Sequence, residues 1–167
     1  MIYIGIDVGK KGALVLLDDD IVESYSFDKE TYVRLINNLK MIYNIDDVIV
    51  GIEKVHSMPK QGVKSMFSFG ENYGWLQGIL DANNIKYKLI SPQEWKKYFS
   101  LIGSDKKQSC IKALELEPRL RCYGSRGGML DGVCDAYLIA RYLKEVKWKN
   151  LNFYIEKLEK IKQRKIL

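Results

Sequence analysis

The chain has 167 residues, of which 47% are hydrophobic and 29% charged, enough for one domain to bury a core without disulfides. It contains no run of about 18 apolar residues, and Met1 leads directly into a predicted strand, so neither a membrane span nor a signal peptide is expected. Three cysteines without Cys-x-x-Cys spacing and a single histidine exclude an ordinary zinc site. We therefore expect an intracellular, cytoplasmic protein with no membrane partner, although the sequence leaves open an organelle or a viral host.

The formal net charge of +6 is unevenly distributed along the chain. Residues 1–85 carry 8 basic and 12 acidic side chains, whereas residues 86–112 carry 7 and 2, and residues 144–167 carry 8 and 3. An acidic half that holds candidate metal ligands, followed by two basic segments, suits a polyanion that lies across a metal centre. We predict one domain over 1–149 and a basic helical tail over 150–167, with a plainly solvated lysine-rich segment as the alternative for part of that tail.

The N-terminal run 1–17 predicts a β-hairpin, because two apolar, β-branched segments flank a Gly-Lys-Lys-Gly turn. The first segment is apolar at almost every position, which is typical of a central strand covered on both faces. Asp7 ends this strand with a carboxylate, and a buried carboxylate needs a metal, a cation or hydrogen-bond donors. A turn aspartate that caps the loop at Gly9 is an equal alternative.

Further strands and helices follow the hairpin. Residues 21–27 alternate like a third strand, and residues 28–43 carry apolar side chains at helical spacing. Residues 48–53 form a second continuous apolar strand, and this strand also ends in an acid, Glu53. Two buried-type strands that both end in a carboxylate are a more specific pattern than either one, with a surface salt bridge as the alternative for Glu53.

Residues 64–82 predict a long helix with two packing faces. One is an apolar stripe formed by Met66, Phe69, Tyr73, Leu76 and Leu80. The other is a ridge of Gly70, Gly74 and Gly78, each of which costs the helix about 1 kcal/mol relative to alanine. Close approach of another backbone, from the sheet or from a symmetry mate, would offset this cost. Two faces are easier to explain in a dimer than in a monomer.

The next segment is basic and contains two capped helices. After a strand at 85–90, Ser91-Pro-Gln-Glu is a capping box that predicts a short helix carrying Lys96. Ser104 and Asp105 then cap a helix that runs to about residue 117, and Lys106 and Lys107 lie in its first turns. Cations at a helix N-terminus oppose the helix dipole, so we expect these two lysines to contact phosphate.

After a glycine- and arginine-rich loop at 118–128, the last major helix, 130–146, carries a pair of acids. Asp131 and Asp135 are four residues apart and therefore lie on the same side of the helix. Two like charges in this geometry are mildly destabilising without a cation. An acid in the first turn complements the helix dipole, which offers another explanation for Asp131. Asp135, flanked by apolar residues, has no such explanation.

Four motifs together resemble the RuvC-type Holliday junction resolvases, which have a ribonuclease-H-like fold. They are Ile-Gly-Ile-Asp7-x-Gly, Val-Gly-Ile-Glu53, Leu-Ile-Gly-Ser-x-x-Lys107 and Asp131-x-x-x-Asp135-Ala-Tyr-Leu-Ile-Ala. They extend over residues 1 to about 143 in the family's order, and the spacing of the last two acids is similar to that of chloroplast-type members. The resemblance implies an α/β fold with a mixed five-stranded sheet, three antiparallel strands first and parallel strands after, with helices on both faces.

The same resemblance implies a metal-dependent endonuclease that resolves four-way DNA junctions by paired hydrolytic nicks and acts as a homodimer. Its metal ligands would be Asp7, Glu53, Asp131 and Asp135, and four oxygen donors suit two Mg²⁺ or Mn²⁺ ions. Lys107 would face the reacting phosphate as a catalytic residue. The candidate DNA contacts are Lys96, Lys106, Lys107, His56, Lys60 and Lys64, although a plain loop histidine is the favoured interpretation of His56.

Two other function classes share part of this pattern. A catalytically silent protein that binds junctions or branched DNA would lack one of the four carboxylates, and none is missing. An actin-like or sugar-kinase-type ATPase begins with a similar hairpin but needs a second phosphate-binding hairpin and much more chain.

If the four acids converge, their negative charges should repel one another when no metal is bound. Asp131→Asn should then relieve this repulsion and stabilise the metal-free protein by about 1 kcal/mol.

Overall fold

A computed structural model describes residues 1–9, 11–54 and 62–146. Five strands form one sheet in the order β3-β2-β1-β4-β5. The strands are β1 (Ile2–Asp7), β2 (Ala13–Leu17), β3 (Val22–Ser26), β4 (Val48–Glu53) and β5 (Tyr87–Ile90). The first three pair antiparallel, whereas β4 pairs parallel to both β1 and β5. The predicted mixed sheet is therefore confirmed.

Five α-helices surround the sheet. They are α1 (Lys29–Ile42), α2 (Val63–Ala82), α3 (Pro92–Tyr98), α4 (Lys106–Leu116) and α5 (131–146), and a short 3₁₀-helix (Ile45–Asp47) precedes β4. The predicted caps are confirmed, since Ser91 and Glu94 form a capping box on α3 and the Asp105 side chain accepts a hydrogen bond from Gln108 N on α4. The predicted tail 150–167 and the domain boundary at 149 lie outside the described residues.

The helices cover both faces of the sheet, as predicted. On one face α1 and α2 bury side chains such as Tyr32 and Leu76 against the even-numbered residues of β1. On the other face α3, α4 and α5 bury Trp95, Cys110 and the apolar side of α5 against Tyr3 and Val15. Since side chains alternate along a strand, each strand contributes to both cores.

Gly5 allows α5 to lie directly on the central strand. A Cβ at this position would stand 2.0 Å from the Ala136 carbonyl oxygen and 2.5 Å from the Ala140 backbone nitrogen. No side chain fits between the two backbones at such distances. Residues 3, 5 and 7 of β1 share one face of the sheet, so this contact also brings α5 towards Asp7.

We expect Gly5→Ala to destabilise the fold by about 3 kcal/mol or more, because the added methyl group can only be accommodated by moving α5. Gly74→Ala is the matched control, since nothing lies within 4 Å of the position that its Cβ would take and alanine favours a helix. Urea denaturation of both variants checks this prediction. Equal stabilities would contradict the packing of α5 on β1.

Helix α2 is only partly buried against the rest of the described chain. Leu76 and Leu80 are its two buried residues, whereas Val63 and Phe67 have 86% and 75% of their surface exposed. A Cβ on any of its three ridge glycines would meet nothing within 4 Å among the described residues. The glycine ridge therefore does not approach the sheet, which removes one of the two explanations that the sequence left open.

Among the described residues, no helix combines the length and apolar character needed to cross a membrane.

Candidate active site

Asp7 and Glu53 end two neighbouring parallel strands at the same level of the sheet. Ile6 pairs with Ile52, so the two carboxylates follow directly after paired residues. Asp7 lies on the face that α5 covers, because it is two residues after Gly5 in the alternating strand. The two strand-end acids that the sequence singled out are thus brought together.

Helix α5 begins directly against the hairpin between β1 and β2. A Cβ on Gly132 would stand 2.2 Å from the Lys11 carbonyl oxygen and 3.1 Å from Asp7 Oδ2. This close approach brings the first turn of α5, with Asp131 and Asp135, to the end of β1. Asp7 is therefore more than a turn-capping aspartate, since it faces the acids of α5.

The pKa of Asp7 is shifted further from its ordinary value than that of any other acid in this cluster. Its pKa is raised to about 8, mainly by burial and further by the charges of Glu53, Asp135 and Asp131, while Lys106 opposes the shift. A carboxyl group with such a pKa retains its proton at neutral pH or takes up a cation. The position is therefore suited to a ligand of opposite charge.

The pKa values of Glu53 and Asp135 are also raised. Burial is the main cause that raises the pKa of each. Hydrogen bonds partly relieve both groups, since Trp95 Nε1 donates to Glu53 Oε1 at 3.2 Å and Ser109 hydrogen-bonds to Asp135. Asp135 Oδ1 is nevertheless buried and has no hydrogen-bond partner among the described residues. A buried anionic oxygen without a partner calls for a cation.

Asp131 differs from the other three acids. Lys106 Nζ donates to its Oδ2 at 2.8 Å, and this bond holds the pKa of Asp131 below its usual value. Lys106 thus balances this carboxylate, although the charge of Asp131 still raises the pKa of Asp7 and Asp135. The gain in stability expected for Asp131→Asn stays a prediction. The raised pKa values are those of Asp7, Glu53 and Asp135.

The predicted cationic residues divide into three groups. Lys96 and Lys106 lie near the carboxylates, since the charge of Lys96 lowers the pKa of both Glu53 and Asp135. Lys64 and Lys107 are exposed and form no ion pair with the described residues. His56 and Lys60 lie outside the described residues. The DNA contacts predicted for all six of these residues stay predictions.

Trp95 and Ser109 are contacts of the cluster that the sequence did not reveal. Trp95 is fully buried and holds Glu53, and Lys96 Nζ lies 5.2 Å from the centroid of its ring. The capping box predicted the helix that carries Trp95 but not the side chain's partner, which is 42 residues away in sequence. Ser109 gives no local signal, since a serine in the middle of a helix usually faces solvent.

The residues present suit a hard divalent cation. All four acids supply oxygen, the ligand that Mg²⁺ and Mn²⁺ prefer, and Asp135 Oδ1 is a buried acceptor without a partner among the described residues. In this conformation, the described ranges contain no group of three or more His, Cys, Asp and Glu side chains close enough to hold a metal ion. Two of the four carboxylates are instead engaged by protein donors, Asp131 by Lys106 and Glu53 by Trp95.

No protein-family model matches the sequence, and no curated protein matches it either. The structure of RuvC from Thermus thermophilus does match, with a TM-score of 0.56 and 13% sequence identity over 85% of this chain and 92% of that chain. The chain has the fold of RuvC. The structure of T. thermophilus RuvC in complex with Holliday junction substrate gives a TM-score of 0.55 and 13% identity, over 85% of this chain and 91% of that chain. The predicted RuvC-type, ribonuclease-H-like fold is confirmed.

Proposed function

We propose that this protein is a metal-dependent endonuclease that resolves four-way DNA junctions. The observation that carries the proposal is the convergence of strained carboxylates, from the ends of β1 and β4 and from α5, at one place in a RuvC fold. Acids with raised pKa values cluster at functional sites far more often than elsewhere. In a purely structural ion-pair network, each of these acids would be paired with a cation. Among the described residues, Asp7, Glu53 and Asp135 form no ion pair.

The four acids would hold the metal, and nearby lysines would hold the DNA. Two Mg²⁺ or Mn²⁺ ions, when bound, would supply the charge that activates water and stabilises the leaving oxygen in phosphodiester hydrolysis. Trp95 would fix the orientation of Glu53 through its 3.2 Å hydrogen bond. Lys96 and Lys107 would bind backbone phosphates, with Lys107 at the reacting one, as the sequence resemblance implies.

The substrate that we propose is branched DNA, and the acting form is a homodimer. T. thermophilus RuvC, which has the same fold, has been captured in complex with a Holliday junction substrate. Paired nicks in a four-way junction require two sites related by a twofold axis. The outward face of α2 supports the dimer, because it leaves Val63 and Phe67 exposed beside three glycines whose added Cβ would meet no described residue within 4 Å. A partner helix lying across this face would bury the apolar side chains.

We predict that Gly74→Leu lowers the dimer content, because a leucine side chain would hold a partner backbone away from the ridge. Gly74→Ala should dimerise almost normally, since a methyl group is far smaller. Sedimentation velocity of both variants against the wild type measures the effect. A wild type that stays monomeric at high concentration would rule out this interface.

Cleavage of a labelled four-way junction tests the proposed function directly. With Mg²⁺ the protein should nick the junction in paired strands and leave a linear duplex of the same sequence intact. Chelator should stop cleavage and leave junction binding in place, because the lysines supply much of the affinity. Binding without cleavage under every metal condition would favour the catalytically silent alternative, and neither binding nor cleavage would refute the proposal.

A further inference from the structure

The bond between Lys106 and Asp131 places a protein cation on one of the four acids proposed as metal ligands. Lys106 Nζ lies 2.8 Å from Asp131 Oδ2, and the charge of the same ammonium group also acts on Asp7 and Asp135. No other lysine or arginine among the described residues forms an ion pair with any of these three acids. Among the described residues, Lys106 is therefore the cation that is ion-paired with an acid of the cluster, while the charge of Lys96 acts on Glu53 and Asp135 without an ion pair.

The exposure of the Lys106 side chain allows this ion pair to open. The Lys106 side chain is 84% exposed and that of Asp131 only 34%, so the ammonium reaches in from solvent while the carboxylate is fixed on α5. Lys106 also begins α4, where the positive end of the helix dipole opposes a cation. Exposed ion pairs of this kind contribute little to stability, so opening this one costs little free energy.

We propose that Lys106 is an exchangeable counter-ion: it neutralises Asp131 in the metal-free protein, is displaced when a divalent metal binds, and then contacts a DNA phosphate. This inference rests on the proposed function, because it takes the four acids as metal ligands. An ammonium 2.8 Å from Asp131 Oδ2 occupies one lone pair of the carboxylate, and its positive charge repels a second cation at the other lone pairs. Metal and lysine therefore compete for Asp131.

Coupling between metal and DNA follows from this competition. A phosphate that draws Lys106 away leaves Asp131 free for the metal, and a metal on Asp131 leaves Lys106 free for the phosphate. By thermodynamic linkage, each ligand then raises the affinity for the other by the same factor. The arrangement disfavours tight metal binding until DNA is present.

Calorimetric titration of Mn²⁺ into the DNA-free protein tests the competition without any cleavage assay. Lys106→Met removes the competing ammonium, and we expect this variant to bind Mn²⁺ about fivefold more tightly than the wild type. Lys107→Met is the matched control, because it removes the same charge one residue further along and Lys107 has no ion pair with a described acid. Its Mn²⁺ affinity should stay within about twofold of the wild type.

A second arm measures junction affinity by fluorescence anisotropy, with and without Mn²⁺, in a Lys107→Met background, which lacks the lysine proposed at the reacting phosphate and keeps all four acids. Adding Lys106→Met to this background should make the gain in affinity on adding Mn²⁺ smaller. Equal or weaker Mn²⁺ binding by Lys106→Met than by the wild type would overturn the counter-ion role and leave the proposed function standing. If the wild type binds no Mn²⁺ at millimolar concentration, the proposed function and this inference fail together.

Discussion

Replacing Asp7 by asparagine should reduce junction cleavage by about 10²-fold or more and change junction affinity by only a few-fold. Asp7 is the most strained acid of the cluster and faces the other three, so it is the one whose charge most needs a metal. The amide keeps the shape of the side chain but removes the charge that would hold the metal. Junction affinity depends mainly on lysines that contact phosphates, and these are unchanged.

The Asp7→Asn test needs a control that removes a carboxylate elsewhere. Asp46 is suitable, because it is exposed and precedes the start of β4, at the opposite end of the strand from Glu53. Asp46→Asn should cleave like the wild type, whereas Glu53→Gln should behave like Asp7→Asn. Gel assays give the cleavage rate, and anisotropy gives the affinity. Undiminished cleavage by Asp7→Asn would remove Asp7 from the proposed site.

The strand-end acids and the acid pair of α5 could be predicted from the sequence because each is a local violation of a pattern. Asp7 and Glu53 follow strands that are otherwise apolar, and Asp135 stands among buried residues. The helical spacing of apolar residues predicted burial less well where the end of a helix extends beyond the elements that pack against it. Ile42 continues the helical spacing of α1, yet 67% of its surface is exposed, since no described residue covers the end of that helix.

The partners of the acids could not be predicted, because they depend on how helices distant in sequence pack together. Lys106 reaches Asp131 across 25 positions, and Trp95 reaches Glu53 across 42. The sequence indicated two lysines at the start of α4 without distinguishing them, and only the packing of α4 beside α5 shows that Lys106 is the one on Asp131. For the same reason, the repulsion expected equally at four acids is concentrated at three.

The remaining prediction concerns stability without metal: it should fall as the pH rises from about 5 to 8, and Asp7→Asn should make this fall shallower. The pKa of Asp7 is about 8 in the folded protein against an ordinary value of 3.8, so the folded state holds its proton more tightly than the unfolded state does. Below the unfolded value both states are protonated, and the full stability is present. Between the two values the unfolded state alone releases the proton, so stability is lost until the folded group also ionises.

The loss from Asp7 amounts to about 1.4 kcal/mol per pH unit inside this window and stops above it. Urea denaturation in chelator at pH 5, 6.5 and 8 should therefore show a declining wild type and a shallower decline for Asp7→Asn, in which Glu53 and Asp135 still have raised pKa values. Asp131→Asn is the informative contrast: the pKa of Asp131 is lowered by Lys106, so the ionisation of Asp131 itself does not contribute to this fall. Mg²⁺ should restore wild-type stability at pH 8 by binding only the folded state, and should do so less for Asp7→Asn. A wild type whose stability does not change across this range would mean that Asp7 is less buried, or better paired, than its position against α5 requires.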